Sequence, residues 1–224
     1  MAIEPRFSQH PSIPDSAECV FSGVRSEIYQ WDQEMYDGSI TRFERIRFFD
    51  GAFTFPITPE WKIIITKQEQ PARDMPFYSL PWGGFDFPDE DALLCAKREL
   101  LEETGYISDE WEHWHDYLGS SNISTFAYFY IARNVRKIQE IQPDPGEKIE
   151  VFEVSFDEWL WLARTHQFTH HWTLLSSMYD ALLDKEKYNE LRCILFWNKK
   201  SWWHLLDNDC RNDFLYRNFI PVSF

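Results

Sequence analysis

Residues 84–106 read GFDFPDEDALLCAKRELLEETGY, and Glu99, Glu102 and Glu103 crowd one face of the short helix this stretch encodes. Glu99 and Glu103 are four apart and Glu102 lies at i+3 from Glu99, so at about 100° per residue the carboxylates share an arc of roughly 100°. Like charges at i, i+4 destabilise a helix when nothing neutralises them. The pattern therefore implies a positive partner, and a hard divalent cation is the one that prefers carboxylate oxygens. Arg98 stands one turn before Glu102. It is placed to pair with that carboxylate and orient it, leaving Glu99 and Glu103 for metal. Pro88-Asp89-Glu90-Asp91 suits the positive end of the helix, and Gly105 is placed to stop it.

The rest of the chain bounds the reading. Its 224 residues suit one compact domain with an appendage, and an aromatic content of 18% supplies a substantial core. A net charge of −15 argues against nonspecific binding to nucleic acid or to an anionic membrane. An anionic substrate would need local cations to approach. No apolar run reaches the length of a membrane span, and MAIEPRFSQHPSIP lacks the basic and apolar regions of a signal peptide. Cys19, Cys95, Cys193 and Cys210 are scattered without CxxC spacing, which suits free thiols in a reducing cytoplasm.

Periodicity divides the chain into an N-terminal arm over 1–19, a main domain over 20–185 and an aromatic-rich extension over 186–224. IYQWDQEM and ITRFERIRFF flank Tyr36-Asp37-Gly38-Ser39 and predict a hairpin. GAFTFPI and WKIIITK predict two short strands, with Pro56 and Pro59 marking the break. QPARDMP reads as a loop, and FYSLPW as a strand ending in a turn at Gly83-Gly84. Ile123 to Ala132 predicts one central strand, and IEVFEV at 149–154 another. Phe156–Arg164 and Trp172–Leu183 predict helices. The segment after Lys185 carries no assignment. Such a mixture predicts a layered α/β domain.

Written as a pattern, the opening stretch is Gly84, five residues, Glu90, seven residues, then Arg98-Glu99-Leu100-x-Glu102-Glu103-x-Gly105-Tyr106. It resembles the signature of the Nudix hydrolases, which cleave nucleoside diphosphates linked to another moiety. All the exact positions of that signature are filled, and at about 7% usage per residue type chance would do so roughly once in 10⁸ windows. Tyr106 stands where an aliphatic residue is usual. LPWGG, the segment Lys67-Gln68-Glu69-Gln70-Pro71-x-Arg73, and GEKIEVFEVSFDEW at 146–159 extend the resemblance over about 30–185. The resemblance implies an α/β/α sandwich with a mixed β-sheet. It implies Mg²⁺ or Mn²⁺ held by Glu99, Glu102 and Glu103, helped by the carbonyl of Gly83. Glu90 would support the loop–helix junction.

ADP-ribose and nucleotide-sugar pyrophosphatases are the nearest look-alikes, with two departures. Their Gln-x-Arg is Gln68-x-Gln70 here, and their Ser-Pro-Gly segment is replaced by Gly119-Ser120-Ser121-Asn122. The substrate subsite is thus expected to differ while the chemistry stays. Glu147 is the best loop carboxylate for an extra metal ligand or a general base, against a merely solvated acid. Pro145 stands at the usual base position, with Asp144 as a displaced substitute. Glu102, oriented by Arg98, serves as a ligand or in water positioning.

Other residues have plainer readings. His113, His115, His170 and His171 fit no zinc spacing and read as surface or packing residues. Trp111, Trp114, Trp159, Trp161 and Trp172 read as core or dimer contacts at helical spacing, with base stacking as the alternative. Arg73 is a candidate for contacting a substrate phosphate or carboxylate, against a surface role. Cys95 reads as a small buried residue of the motif helix. The expected activity is metal-dependent hydrolysis of ADP-ribose or a nucleotide sugar, giving a nucleoside monophosphate and a sugar phosphate. Rival readings are a nucleoside triphosphate or dinucleoside polyphosphate as substrate, or a regulatory module that binds without turnover. The partners expected are a small nucleotide and a second copy in a homodimer, not nucleic acid or membrane.

Overall fold

The computed structural model describes residues 13–197 except 72, 88, 89, 120, 121, 144, 166 and 169–171. Asp144, His170, His171, Cys210, Pro88-Asp89, Ser120-Ser121 and the aromatic residues beyond 197 lie outside the described residues.

Strands β1 (Glu18–Ser22), β2 (Ser26–Glu34) and β3 (Ile40–Phe48) form an antiparallel meander at the N-terminal end. The expected hairpin between β2 and β3 is present, and Gly38 takes φ +81 in its turn, with Asp37 Oδ1 accepting the Ser39 N–H. Next come β4 (Gly51–Ile57), β5 (Ile63–Glu69), β6 (Phe77–Ser79), β7 (Trp82–Gly84) and helix α1 (Ala92–Thr104). They are followed by β8 (Tyr106–Ile107), β9 (Glu110–Leu118), β10 (Ile123–Ser124), β11 (Phe126–Arg133), β12 (Arg136–Lys137) and β13 (Lys148–Val154). Helices α2 (Phe156–Leu162), α3 (Trp172–Leu183) and α4 (Lys185–Phe196) complete the described chain.

The main sheet runs β13-β5-β4-β11-β9, with β6 added to β5 and β7 to β4. It is mixed: β4 and β11 are parallel and the other pairs antiparallel. Period-2 alternation sends each strand's side chains to two different layers. Ile63, Ile65, Phe55, Phe129 and Ile131 pack under α2, α3 and α4, around a fully buried Trp159. Ile64, Ala52, Tyr130 and Ala132 face the other way, into the layer formed with Cys95, Ala96 and Leu100 of α1. This is the α/β/α sandwich.

Four sequence expectations are corrected. Gly83-Gly84 is not a turn but part of β7, which pairs with Gly51 and Ala52. The run from Ile123 to Ala132 is two strands in two sheets: β10 pairs with β3, while β11 lies between β4 and β9. Trp111 and Trp114 lie on a strand, β9, rather than on a helix. A register shift opposite Phe129 and Tyr130 changes the strand's parity. Pro56 sits inside β4 instead of breaking it. The Thr54 N–H on the same side bonds Pro81 O, and β4 meets β5 only at Ile57 and Ile63. Pro56 therefore faces a gap where no ladder bond is needed. The unassigned segment after Lys185 begins with α4, whose Leu191, Leu195 and Phe196 join the main core. Arg133 holds that helix's end, donating to the carbonyls of Ile194 (2.7 Å) and Leu195 (2.9 Å).

Candidate active site

Helix α1 is seated by its small residues. Cys95 and Ala96, both fully buried, let it approach β4 and β7 closely, and the Thr54 hydroxyl reaches Ala96 O at 3.4 Å. Asp91 caps its first turn by accepting the Leu94 N–H at 2.9 Å. Gly105, at φ +75, closes the other end by donating to Leu101 O. So clamped, the helix turns Glu103 inward, where the residue is only 4% exposed, and leaves Glu102 half-buried.

Each carboxylate then meets a defined neighbour. Glu103 Oε2 accepts the Trp82 N–H at 3.1 Å, and its Oε1 accepts Gln68 Nε2 at 2.8 Å. Glu99 lies flat against Gly83: a Cβ there would stand 1.9 Å from the Glu99 carboxylate. A side chain at position 83 would therefore have to displace the Glu99 carboxylate. Arg98 pairs with Glu102 as expected, Nη1 to Oε2 at 3.4 Å, but it pairs more closely with Glu99, at 2.6 Å. The expectation that Arg98 would leave Glu99 unpaired is thus corrected. The same guanidinium also reaches Asp86 and Glu90, each at 3.3 Å, and donates to Gly84 O at 3.0 Å. Glu90 further accepts the Asp86 N–H at 2.8 Å, so it fastens the loop–helix junction.

One guanidinium therefore serves Asp86, Glu90, Glu99 and Glu102, while Glu103 is held by neutral donors. The electrostatic consequence is visible in the carboxyl groups. Burial pushes the Glu99 carboxyl up to about 7; Arg98 opposes the shift, and the Glu102 and Asp86 charges add to it. Burial, and then the charge of Glu99, raises Glu103 well above the usual carboxylate range against the pull of the Trp82 N–H. Cys95, beside these acids, has its thiol pushed up to about 12 by burial and stays an inert packing residue.

Glu147, from the loop before β13, joins the site through two amides. Gln70 Nε2 donates to Glu147 Oε1 at 3.0 Å and approaches Gln68 Oε1 at 3.3 Å; Gln68 in turn donates to Glu103. Sequence reasoning noted Gln68-x-Gln70 only as a departure. Thr66, Gln68 and Gln70 share one face, but Lys67 and Glu69 between them are polar as well, so the sequence carries no alternation that would single that face out. Arg73 is exposed, lines one hollow with Gln70 and Glu147, and holds its guanidinium 4.0 Å over the Phe77 ring. His113 pairs with Asp116 at 2.5 Å, and His115 lines a small hollow with Trp114 and Leu174. Trp111 lies by Lys97, and Trp114 packs edge-on to Phe55.

No three His, Cys, Asp or Glu side chains among the described residues already converge as a metal cage. The donor set nonetheless fits a hard cation: neighbouring carboxylates, Glu103 buried and Glu99 part-buried, no thiolate, and more negative charge than Arg98 alone offsets, while the Gly83 carbonyl accepts the Cys95 thiol at 3.6 Å.

Residues 48–175 match the NUDIX domain. The chain belongs to the Nudix family. With the family comes the enzyme class, a pyrophosphohydrolase acting on acid anhydrides. Among its relatives, the methanol dehydrogenase activator of Bacillus methanolicus is 25% identical over 173 residues, covering 76% of this chain and 93% of that protein. The ADP-ribose pyrophosphatase of Bacillus subtilis (strain 168) is 26% identical over 152 residues, covering 67% and 82%. A crystal structure of an ADP compounds hydrolase superposes with a TM-score of 0.62 at 16% identity, over 79% of this chain and 94% of that one, and shows the shared fold.

Proposed function

We propose that this Nudix protein hydrolyses the pyrophosphate bond of a nucleoside diphosphate derivative such as ADP-ribose or a nucleotide sugar, with Mg²⁺ or Mn²⁺. The observation that carries the reading is the adjacent pair of carboxylates, Glu103 buried and Glu99 part-buried, within more negative charge than Arg98 alone offsets. A protein keeps such a pair where a cation is to be bound. Glu99, Glu102, Glu103, the Gly83 carbonyl and Glu147 are the groups that would hold it. Bound there, the ion would neutralise the pyrophosphate oxygens and lower the pKa of a water.

The chain's own residues do the positioning. Trp82 N–H and Gln68 hold Glu103 in one orientation. Arg98 orients Glu102, which places the attacking water or ligates. Glu147 takes the role of ligand or base, and Arg73 contacts the substrate beyond the reacting phosphorus. Support for the substrate class comes from the B. subtilis relative, which is an ADP-ribose pyrophosphatase. The same reading places a homodimer in a reducing cytoplasm, where Cys19, Cys95 and Cys193 stay as free thiols. No helix among the described residues is long and apolar enough to cross a membrane.

The rival is a regulatory module without turnover, which the activator from B. methanolicus brings to mind. Purified protein incubated with ADP-ribose and Mg²⁺ should release a nucleoside monophosphate and a sugar phosphate. Glu103→Gln should lower kcat by about 10² or more. Equal release by the two proteins would end the catalytic reading, and metal-dependent binding with no product would favour the regulatory one.

A further inference from the structure

Thr66 and Gln68 of β5, with Gln70 just beyond its end, form a hydrogen-bonded chain that runs in one direction. Gln68 is buried, and its Nε2 donates to Glu103 Oε1 at 2.8 Å and to Thr66 Oγ1 at 3.1 Å. That uses both hydrogens of the amide. Thr66 Oγ1 in turn stands 2.9 Å from Ser79 Oγ. Turning the Gln68 amide over would set its carbonyl against the Glu103 carboxylate, so the network fixes its orientation. Its Oε1 therefore faces Gln70, whose Nε2 approaches at 3.3 Å. One hydrogen of the Gln70 amide is taken up there, and the planar group directs the other to Glu147 Oε1 at 3.0 Å. Glu147 belongs to the loop before β13 and has no helix or strand of its own to aim it. The neighbouring Lys148 pairs instead with Glu69 at 3.5 Å.

We propose that Gln70 is a positioning residue of the hydrolysis, acting through Glu147: its amide aims that carboxylate at the reaction centre before ion and substrate arrive. The assignment rests on the pyrophosphohydrolase reading and on the part Glu147 plays in it, and adds the group that aims Glu147. A loop glutamate left to itself samples many rotamers. A group that must meet a bound ion or a water loses rate when it wanders by an ångström. Gln70 removes that freedom with a donor that adds no charge. Gln68 passes on the alignment of Glu103, so the helix carboxylate and the loop carboxylate are set in one frame.

Wild type, Gln70→Met, Glu147→Ala and the double variant form a cycle that tests this, read with ADP-ribose and ADP-glucose in Mg²⁺. Methionine keeps the shape of the side chain and removes both N–H groups. Gln70→Met should lower kcat by about tenfold and leave KM within about twofold of wild type. In the Glu147→Ala background the same substitution should change kcat by less than about twofold, because nothing is left for it to aim. Gln70→Asn keeps an amide but is one methylene shorter, and should lose as much kcat as Gln70→Met; it replaces that variant if methionine lowers Tm. Mn²⁺ titration followed by electron paramagnetic resonance reads the site without turnover. There the dissociation constant of Gln70→Met should move in the same direction as that of Glu147→Ala, and no further. Losses that multiply in the double variant, a wild-type kcat in Gln70→Met or in Glu147→Ala, or opposite Mn²⁺ shifts overturn the positioning role and leave the pyrophosphohydrolase reading standing. If wild type releases no product from either substrate, that reading falls and the positioning role with it.

Discussion

At Glu99 and Glu103 the cost of a buried charge becomes a pH dependence with a definite sign. The folded carboxyl of Glu99 lies near 7 and that of Glu103 is raised as well, against an ordinary 4.5. Below that ordinary value both the folded and the unfolded chain carry the protons, and no penalty exists. As pH rises from 4.5 through about 7, the unfolded chain releases protons that the fold retains, so stability falls. Above about 7 the full Glu99 penalty applies, and Glu103 adds its own in the same direction. The melting temperature of metal-free protein should decline across this window, and Glu103→Gln should flatten the decline. Added Mg²⁺ should raise Tm most at the alkaline end, where binding competes with no proton. A Mg²⁺ effect equal at both ends would speak against these acids as the ligands. Gly83→Ala tests the same place sterically. The new methyl meets the end of a flexible side chain, not backbone, so stability should change by about 1 kcal/mol. Displacing Glu99 by an ångström should lower kcat by about 10².

The elements show which local rules prevailed. Helix α1 has the boundaries its sequence announces, because Asp91 and Gly105 act through bonds to their own neighbours. Replacing Asp91 by Ala should cost about 1 kcal/mol in chemical denaturation. Gly105→Ala should cost more, about 1–3 kcal/mol, since φ is +75 and a Cβ would stand 2.1 Å from the Gln139 carbonyl oxygen. Strands were less legible. Gly83-Gly84 looks like a turn in sequence yet forms β7, because Gly51 and Ala52 of β4 offer a pairing edge. β9 carries Trp111, Trp114 and Tyr117 three apart, a helical period, and its partner β11 is what makes it a strand. Pro56 would break an isolated strand and is harmless in β4, where β5 diverges.

For the whole molecule, the layer under α2, α3 and α4 is one core, and α4 is part of it. Leu195 is fully buried there with Trp159 and Phe55. Leu195→Ala should cost about 2–5 kcal/mol, seen as a lower urea midpoint with unchanged slope. A loss below about 0.5 kcal/mol, the scale of a surface change, would mean α4 only rests on the domain. The same assembly of layers brings the loop carboxylate of Glu147 to the helix carboxylate of Glu103, which the chain separates by 44 positions (147 − 103). The carboxylate face of α1, its caps, the hairpin and the signature are properties of adjacent residues, so the sequence by itself determined them along with the family. Tertiary structure decided which acids are desolvated, that Arg98 divides itself among Asp86, Glu90, Glu99 and Glu102, and that Gln68 and Gln70 link two distant carboxylates. Those outcomes depend on burial and on contacts across the sheet, and neither is written in the spacing of residues along a chain.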